Sequence, residues 1–252
     1  MKTKIANFLG YPLYTGKLEE IQLEKMKVIS TINPHSYYVS CIDPEFSNAL
    51  KAVDLLLPDG VGIIVGANMM GIKDMMRISG SDIHLFLLKY LNNRQGKVFY
   101  LGASEITLKR ITERLSLEFP DLTVASFNPP FSEKFSDAEN RKIIDLINDF
   151  APDVLFVGMT APKQEKWVHE HCSRIKANHI VSVGAVFDFY GGTVSRPGKI
   201  WINLGLEWFR RLIGEPIRLW KRNFISSPVF LWHVAKSTVK QRLINRRLHD
   251  IS

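Results

Sequence analysis

No stretch of about 18 consecutive apolar residues occurs in this 252-residue chain, so no helix is expected to span a bilayer. Only two cysteines are present, Cys41 and Cys172. They allow one disulfide at most and stand in no metal-ligand spacing, so a reducing compartment is the expectation. The N-terminus carries two lysines and a short apolar run broken by Gly10 and Pro12, a poor signal peptide. There is no Asp-X-Asp, no HExxH, no Walker loop and no Gly-X-Ser-X-Gly, and the seven histidines form no metal-like cluster. A diphosphate substrate would then have to be met by Arg, Lys and helix N-termini rather than by a metal held in such a motif. Gly102-Ala103-Ser104 allows close backbone approach by a ligand, but no further glycines complete a GxGxxG, so a nicotinamide cofactor is weakly supported. Internal repeats and low-complexity segments are also missing.

The net charge is unevenly placed along the chain. Residues 196–252 hold twelve Lys/Arg against Glu207, Glu215 and Asp250, a balance of +9. The whole chain is +8, which leaves −1 for residues 1–195. A neutral body with a basic tail points to an anionic partner for the tail. The body itself is ordinary globular material, 46% apolar and 23% charged.

The central stretch 153–167, DVLFVGMTAPKQEKW, organises the rest. Residues 154–157 read as a strand buried on both faces of a parallel sheet. Gly158 allows a sharp exit, and Pro162 suits the first turn of a helix over 162–175. Around it, strands are expected at 28–33, 55–57, 98–101, 122–126 and 180–183. Helices are expected at 44–53, 61–70 (buried), 83–91 with Ser81 as N-cap, 105–117 and 137–150. Residues 1–27 read as a lead-in with a turn at Gly10-Tyr11-Pro12, and 34–43 as helix or loop. Such alternation implies an α/β fold with a mostly parallel, helix-covered, Rossmann-like sheet over 1–194. Residues 195–252 then form a basic appendage, with Trp201, Leu204, Trp208 and Leu212 at helical spacing and an amphipathic helix over 230–248.

In such sheets ligands gather beyond the carboxyl ends of the strands, where helix N-termini favour anions. Asp59 follows a buried strand inside Pro-Asp-Gly and could serve as a general base, although Pro-Asp-Gly is also a plain turn signal. Thr31 and Asn33 end another strand and either bind a ligand or cap the strand end. Arg77 precedes Ser79-Gly80-Ser81-Asp82, a natural phosphate clamp beside a helix start, or simply a solvated arginine. Gly184 and Asp188 follow the last strand. Asp188 sits among Phe187, Phe189 and Tyr190, so it is either paired or has a shifted pKa.

With these segments in order, the chain resembles the bacterial N-acetylmannosaminyltransferase group, the WecG/TagA/CpsF family (glycosyltransferase family twenty-six). The matching pieces are Thr31-Ile-Asn33-Pro34, Pro58-Asp59-Gly60-Val61-Gly62, Arg77-Ile-Ser-Gly80-Ser-Asp82 and Val98-Phe-Tyr-Leu-Gly102. They continue with Val157-Gly158-Met-Thr-Ala-Pro-Lys-Gln164-Glu165 and Val183-Gly184-Ala-Val-Phe-Asp188. The last are Gly191, Arg196-Pro197, Gly205-Leu-Glu-Trp-Phe-Arg-Arg211-Leu212 and Glu215-Pro216-Ile-Arg218. The chain departs from the family at Pro129-Pro130-Phe131, in place of Gly-Tyr-Phe, where contacts to a sugar nucleotide would change.

The resemblance implies an inverting, metal-independent transferase without cofactor. It would move N-acetylmannosamine, or a related hexose or uronic acid, from a UDP donor to a polyprenyl-diphosphate-linked sugar in cell-surface polysaccharide or teichoic-acid synthesis. Asp59 would be the general base. Thr31, Asn33, Arg77, Gly80, Asp82, Gly102, Gly158, Gln164, Glu165, Gly184 and Asp188 would line the substrate site, and Arg211 and Arg218 would meet diphosphate charge. The expected location is cytoplasmic, peripheral on the inner face of the cell membrane, with residues 195–252 on an anionic lipid surface and the oligomeric state open. The rival readings are a basic nucleic-acid-binding protein and a partner-docking protein without catalysis. Aromatic and leucine residues at helical spacing in the tail favour a lipid interface over nucleic acid.

Overall fold

The computed structural model describes residues 4–25, 27–194, 198, 201, 220 and 222–249. Strands β1 (Ile5–Phe8) and β2 (Tyr11–Tyr14) open the chain, followed by β3 (Lys27–Ile32), helices α1 (Pro34–Ile42) and α2 (Pro44–Lys51), and β4 (Leu55–Pro58). Then come α3 (Val61–Met69), α4 (Gly80–Asn92), β5 (Lys97–Gly102), α5 (Glu105–Glu118), β6 (Thr123–Phe127) and α6 (Asp137–Phe150). β7 (Val154–Gly158), α7 (Lys163–His171), β8 (His179–Ser182) and α8 (Val186–Tyr190) complete the body. A π-helical turn, Arg222–Ser226, leads into α9 (Ser227–His249).

The strands form one sheet in the order β1-β2-β4-β3-β8-β7-β5-β6. Every neighbouring pair is parallel except the β1–β2 hairpin at the edge. Seven strands therefore end on the same rim, which is where crossover loops collect. Strand alternation divides the core. Ile29, Leu57, Tyr100, Phe156 and Val181 face α4, α5 and α8. Their strand neighbours face the other way, in two clusters. Phe99, Leu155, Val157 and Ile180 lie with Trp167 and Val168 of α7, while Ile32 and Leu56 lie with Phe8, Phe46, Phe230 and Val234.

Several local expectations change. The N-terminal lead-in is a hairpin, turning at Leu9 and Gly10, whose φ values of 51° and 86° suit a two-residue turn. The run 34–42 is helix, because Asn33 caps it and Pro34 starts it. The N-cap before α4 is Ser79 rather than Ser81: the Ser79 hydroxyl accepts from the Asp82 N–H, and the Asp82 carboxylate accepts from the Ser79 N–H at 2.8 Å. The helix after Gly158 begins at Lys163, with Pro162 as its N-cap, and a 3-10 turn ends it. The apolar α3 is not buried all round. Gly66 faces Phe230, Phe8 and Val234, whereas Val61, Val65 and Met69 are 41–44% exposed.

The C-terminal helix α9 carries apolar residues on two opposite sides. Phe230 and Val234 sink into the core beside Phe8, Tyr37 and Ile32, while Trp232, Val239 and Leu243 are exposed. His35 bonds Ser226 at 2.9 Å and Tyr37 bonds His233 at 2.8 Å, so α1 holds this segment through polar contacts as well.

Candidate functional site

β3 and β4 run in register from Ile29↔Leu55 to Ile32↔Pro58. The Asp59 N–H then donates to Ile32 O at 2.8 Å, which extends the pairing one residue past the strand and places Asp59 beside Asn33. Gly60, at φ +87°, turns the chain away at once. A Cβ on Gly62 would strike Pro34, so the loops after β3 and β4 pack without a gap. Thr31 sits opposite Leu57, on the face covered by α4. The Ile78 N–H donates to Pro58 O at 2.9 Å, which lays the Arg77 segment along the end of β4 next to Asp59. Thr31, Asn33, Asp59 and Arg77 are thus gathered within two neighbouring strand ends and one loop.

The polar atoms in this group have identifiable duties. Asn33 Oδ1 accepts from the His35 and Ser36 N–H groups, both at 3.0 Å, which is the capping role that competes with ligand binding. Asp82 is occupied with the Ser79 cap. At Gly80 an added Cβ would come within 3.1 Å of Val183 O and of Val186, so this glycine lets α4 start against the exit of β8.

The second half of the rim is built by β8, β7 and β5. Gly102, at φ +115°, abuts Gly158: a Cβ there would lie 2.6 Å from Gly158 O. A Cβ on Gly158 would collide with the buried ring of Phe187. Packing therefore explains both glycines. Gln164 and Glu165 are buried. The Gln164 amide accepts from the Gly184 N–H at 3.1 Å and donates to Glu165 Oε1 at 2.8 Å. Burial raises the Glu165 carboxyl from its ordinary 4.5 to about 7, opposed by the Gln164 bond. Asp188 accepts from the Thr193 hydroxyl at 3.3 Å, which favours the paired alternative.

Asp59 at the end of β4 and Gly102 at the end of β5 have β3, β8 and β7 between them, four strand spacings or about 19 Å. The rim is elongated, and residues at its two ends cannot touch the same atom of a ligand. Arg211 and Arg218 lie outside the described residues, as do Arg196, Trp208 and most of residues 195–219. Among the described residues, no three His, Cys, Asp or Glu side chains are grouped as a metal ion would need.

Sequence reasoning missed the groups that brace the rim. Lys166 reaches Asp43 at 2.7 Å and Glu45 at 2.9 Å, tying α7 to the start of α2 and holding the Asp43 carboxyl below its ordinary range. Lys163 donates to Ser132 O at 2.6 Å and stacks over Phe135, fastening the loop after β6. His84 Nε2 lies 2.8 Å from the Tyr100 hydroxyl, and burial pushes its imidazole down to about 3. The partners in each contact are distant in sequence, so no local pattern announces them.

Comparison with known proteins adds an independent observation. The family described as "Glycosyl transferase WecG/TagA/CpsF family" matches residues 8–244, through both the sheet and the C-terminal segment. A Bacillus spizizenii protein named N-acetylglucosaminyldiphosphoundecaprenol N-acetyl-beta-D-mannosaminyltransferase is 28% identical over 243 residues, 94% of this chain and 92% of that protein. A Bacillus subtilis protein of the same name is 30% identical over 83% of this chain and 79% of its own length. A Staphylococcus aureus counterpart is 26% identical over 84% and 81%.

Proposed function

The chain belongs to the WecG/TagA/CpsF glycosyltransferase family, and we propose that it moves N-acetylmannosamine or a related hexose or uronic acid from a UDP donor to a polyprenyl-diphosphate-linked sugar. Membership makes it a hexosyl-transferring enzyme. The finer reading draws on the relatives, whose names specify an undecaprenyl-diphosphate-linked acceptor and an N-acetylmannosaminyl group. Its main support is the position of Asp59 at the carboxyl end of β4, paired to the end of β3 and flanked by Arg77.

In this mechanism Asp59 takes the proton of the acceptor hydroxyl as that oxygen attacks the anomeric carbon. The bond from the anomeric carbon to UDP breaks in the same displacement, with inversion, and UDP leaves with the electron pair. Thr31, Asn33, Arg77 and Gln164 would surround the sugar nucleotide. Arg211 and Arg218 of the appendage would face diphosphate charge, so that no metal ion is required.

No described helix is long and apolar enough to cross a membrane. Docking at an anionic lipid surface is proposed instead, through the segment from residue 195 onward. Helix α9 contains Lys236, Lys240, Arg242, Arg246 and Arg247 and no acidic residue. Its outward Trp232, Val239 and Leu243 would enter the headgroup region. The test is transfer from a panel of UDP-sugars to a lipid-diphosphate-GlcNAc acceptor, with and without EDTA. UDP release unaffected by EDTA is expected. Activity lost with EDTA and restored by Mg²⁺ or Mn²⁺ would overturn the metal-independent mechanism, and no transfer from any UDP-sugar would overturn the donor assignment.

A further inference from the structure

Glu165 is a carboxyl group in an expensive place. It is 5% exposed, and its Oε2 has no hydrogen-bond partner among the described residues. Burying an ionisable group without full satisfaction is costly, and an apolar side chain of similar volume is often at least as stable there. Stability therefore does not account for a glutamate at this position. What the carboxyl does supply is an acceptor, Oε1, for one N–H of the Gln164 amide.

That acceptor decides the orientation of an amide that could otherwise turn over. A Gln side chain offers oxygen on one side and NH₂ on the other. With Glu165 Oε1 on the NH₂ side, the Gln164 oxygen must face the Gly184 N–H, as observed at 3.1 Å. Gly184 is the first residue past the sheet pairing: the Val183 N–H still bonds to Val157 O at 3.0 Å, whereas the next N–H goes to Gln164. Gly184 also lies in the left-handed region at φ +57°, so its placement depends on this anchor rather than on the strand. Val183 and Val186, on either side, are the residues against which Gly80 seats the start of α4. The Arg77 segment enters α4 through that contact.

We infer that Glu165 is a positioning residue: it fixes the Gln164 amide, which holds the exit of β8 and, through Gly80, the Arg77 side of the donor site. This assignment rests on the proposed UDP-sugar reading for its kinetic consequence, but not for its structural one. Asp59 is held directly by β4 and the end of β3 and meets this chain of contacts only at its far end, where the Ile78 N–H bonds Pro58 O, so Glu165 governs substrate binding more than the chemical step.

The test compares Glu165→Gln, which keeps an oxygen acceptor, with Glu165→Leu, which fills the space without one. E165L should raise KM for the UDP-sugar about tenfold, the scale of one lost buried hydrogen bond, with kcat changed less than about threefold. E165Q should restore KM. Hydrogen exchange at the Gly184 amide should quicken about tenfold in E165L and not in E165Q. Should E165L fail to fold, Glu165→Asp, which withdraws the carboxylate by one methylene, should show the same rise in KM and in exchange. E165L or E165D matching E165Q in both readouts would overturn the assignment. A wild-type protein inactive with every UDP-sugar would sink the donor reading alone, because the exchange comparison still decides the role of Glu165.

Discussion

Glu165→Gln should make the protein more stable, and only above acidic pH. In the folded protein burial lifts the Glu165 carboxyl from 4.5 to about 7. Below the unfolded value both states carry the proton and the substitution exchanges one neutral buried group for another. Between the two values the unfolded chain ionises while the folded protein keeps its proton, so native stability falls as pH rises. Above about pH 7 the folded protein must hold a buried carboxylate. The rise of about 2.5 pKa units, at 1.36 kcal/mol each, sets the loss at about 3 kcal/mol. Glutamine does not ionise and escapes it. Urea unfolding of both proteins from about pH 4 to about pH 8.5 reads this directly. The stability difference, mutant minus wild type, should grow by about 3 kcal/mol across that range while the m-value stays constant. A difference independent of pH would mean that Glu165 titrates alike in both states, which is incompatible with a carboxyl raised by burial.

Gly158→Ala forces a methyl group against the fully buried Phe187 ring and should cost about 1–3 kcal/mol in thermal or urea unfolding; an unchanged midpoint would show that the ring can retreat. Changing Trp232, Val239 and Leu243 together to serine should weaken binding to anionic vesicles at least tenfold while leaving circular dichroism intact, because all three point away from the core. Vesicle binding equal to wild type would remove α9 from the lipid surface. Phe230→Ala makes the complementary case: it deletes a buried ring between α9 and Phe8 and Tyr37, and should lower stability by about 3–5 kcal/mol.

The regular half of the fold was plain in the sequence. The limits 137–150 of α6 are met residue for residue, because Ser136 and Glu139 form a capping box before a strong apolar stripe. The strands 98–101 and 154–157 were marked by unbroken apolar runs that only a sheet covered on both faces requires. The N-terminal hairpin was illegible because its turn places Leu9, a residue that gives no turn signal, at positive φ. Ser79 was legible as well: Ser-X-X-Asp is a capping box, whereas Ser81, two residues on, lacks an acidic residue three positions later. The exposed side of α3 could not be read from composition, since a run whose only polar residue is Asn68 looks alike whether it faces a core or solvent. At the site, the strand-end positions of Thr31, Asn33 and Asp59 followed from local pattern. The Glu165–Gln164–Gly184 chain did not, because it joins segments twenty residues apart.

The proposed mechanism assigns the proton transfer to Asp59. Asp59→Asn keeps the shape of the Pro-Asp-Gly turn and removes the base, so turnover should fall by a factor on the order of 10²–10⁴ while UDP-sugar binding is largely kept. The decisive measurement is the rate of sugar transfer to a lipid-diphosphate-linked acceptor by the folded mutant, alongside calorimetric binding of the UDP-sugar. A large loss of rate with binding retained is the predicted result; near-normal turnover would return Asp59 to the role of an ordinary turn residue.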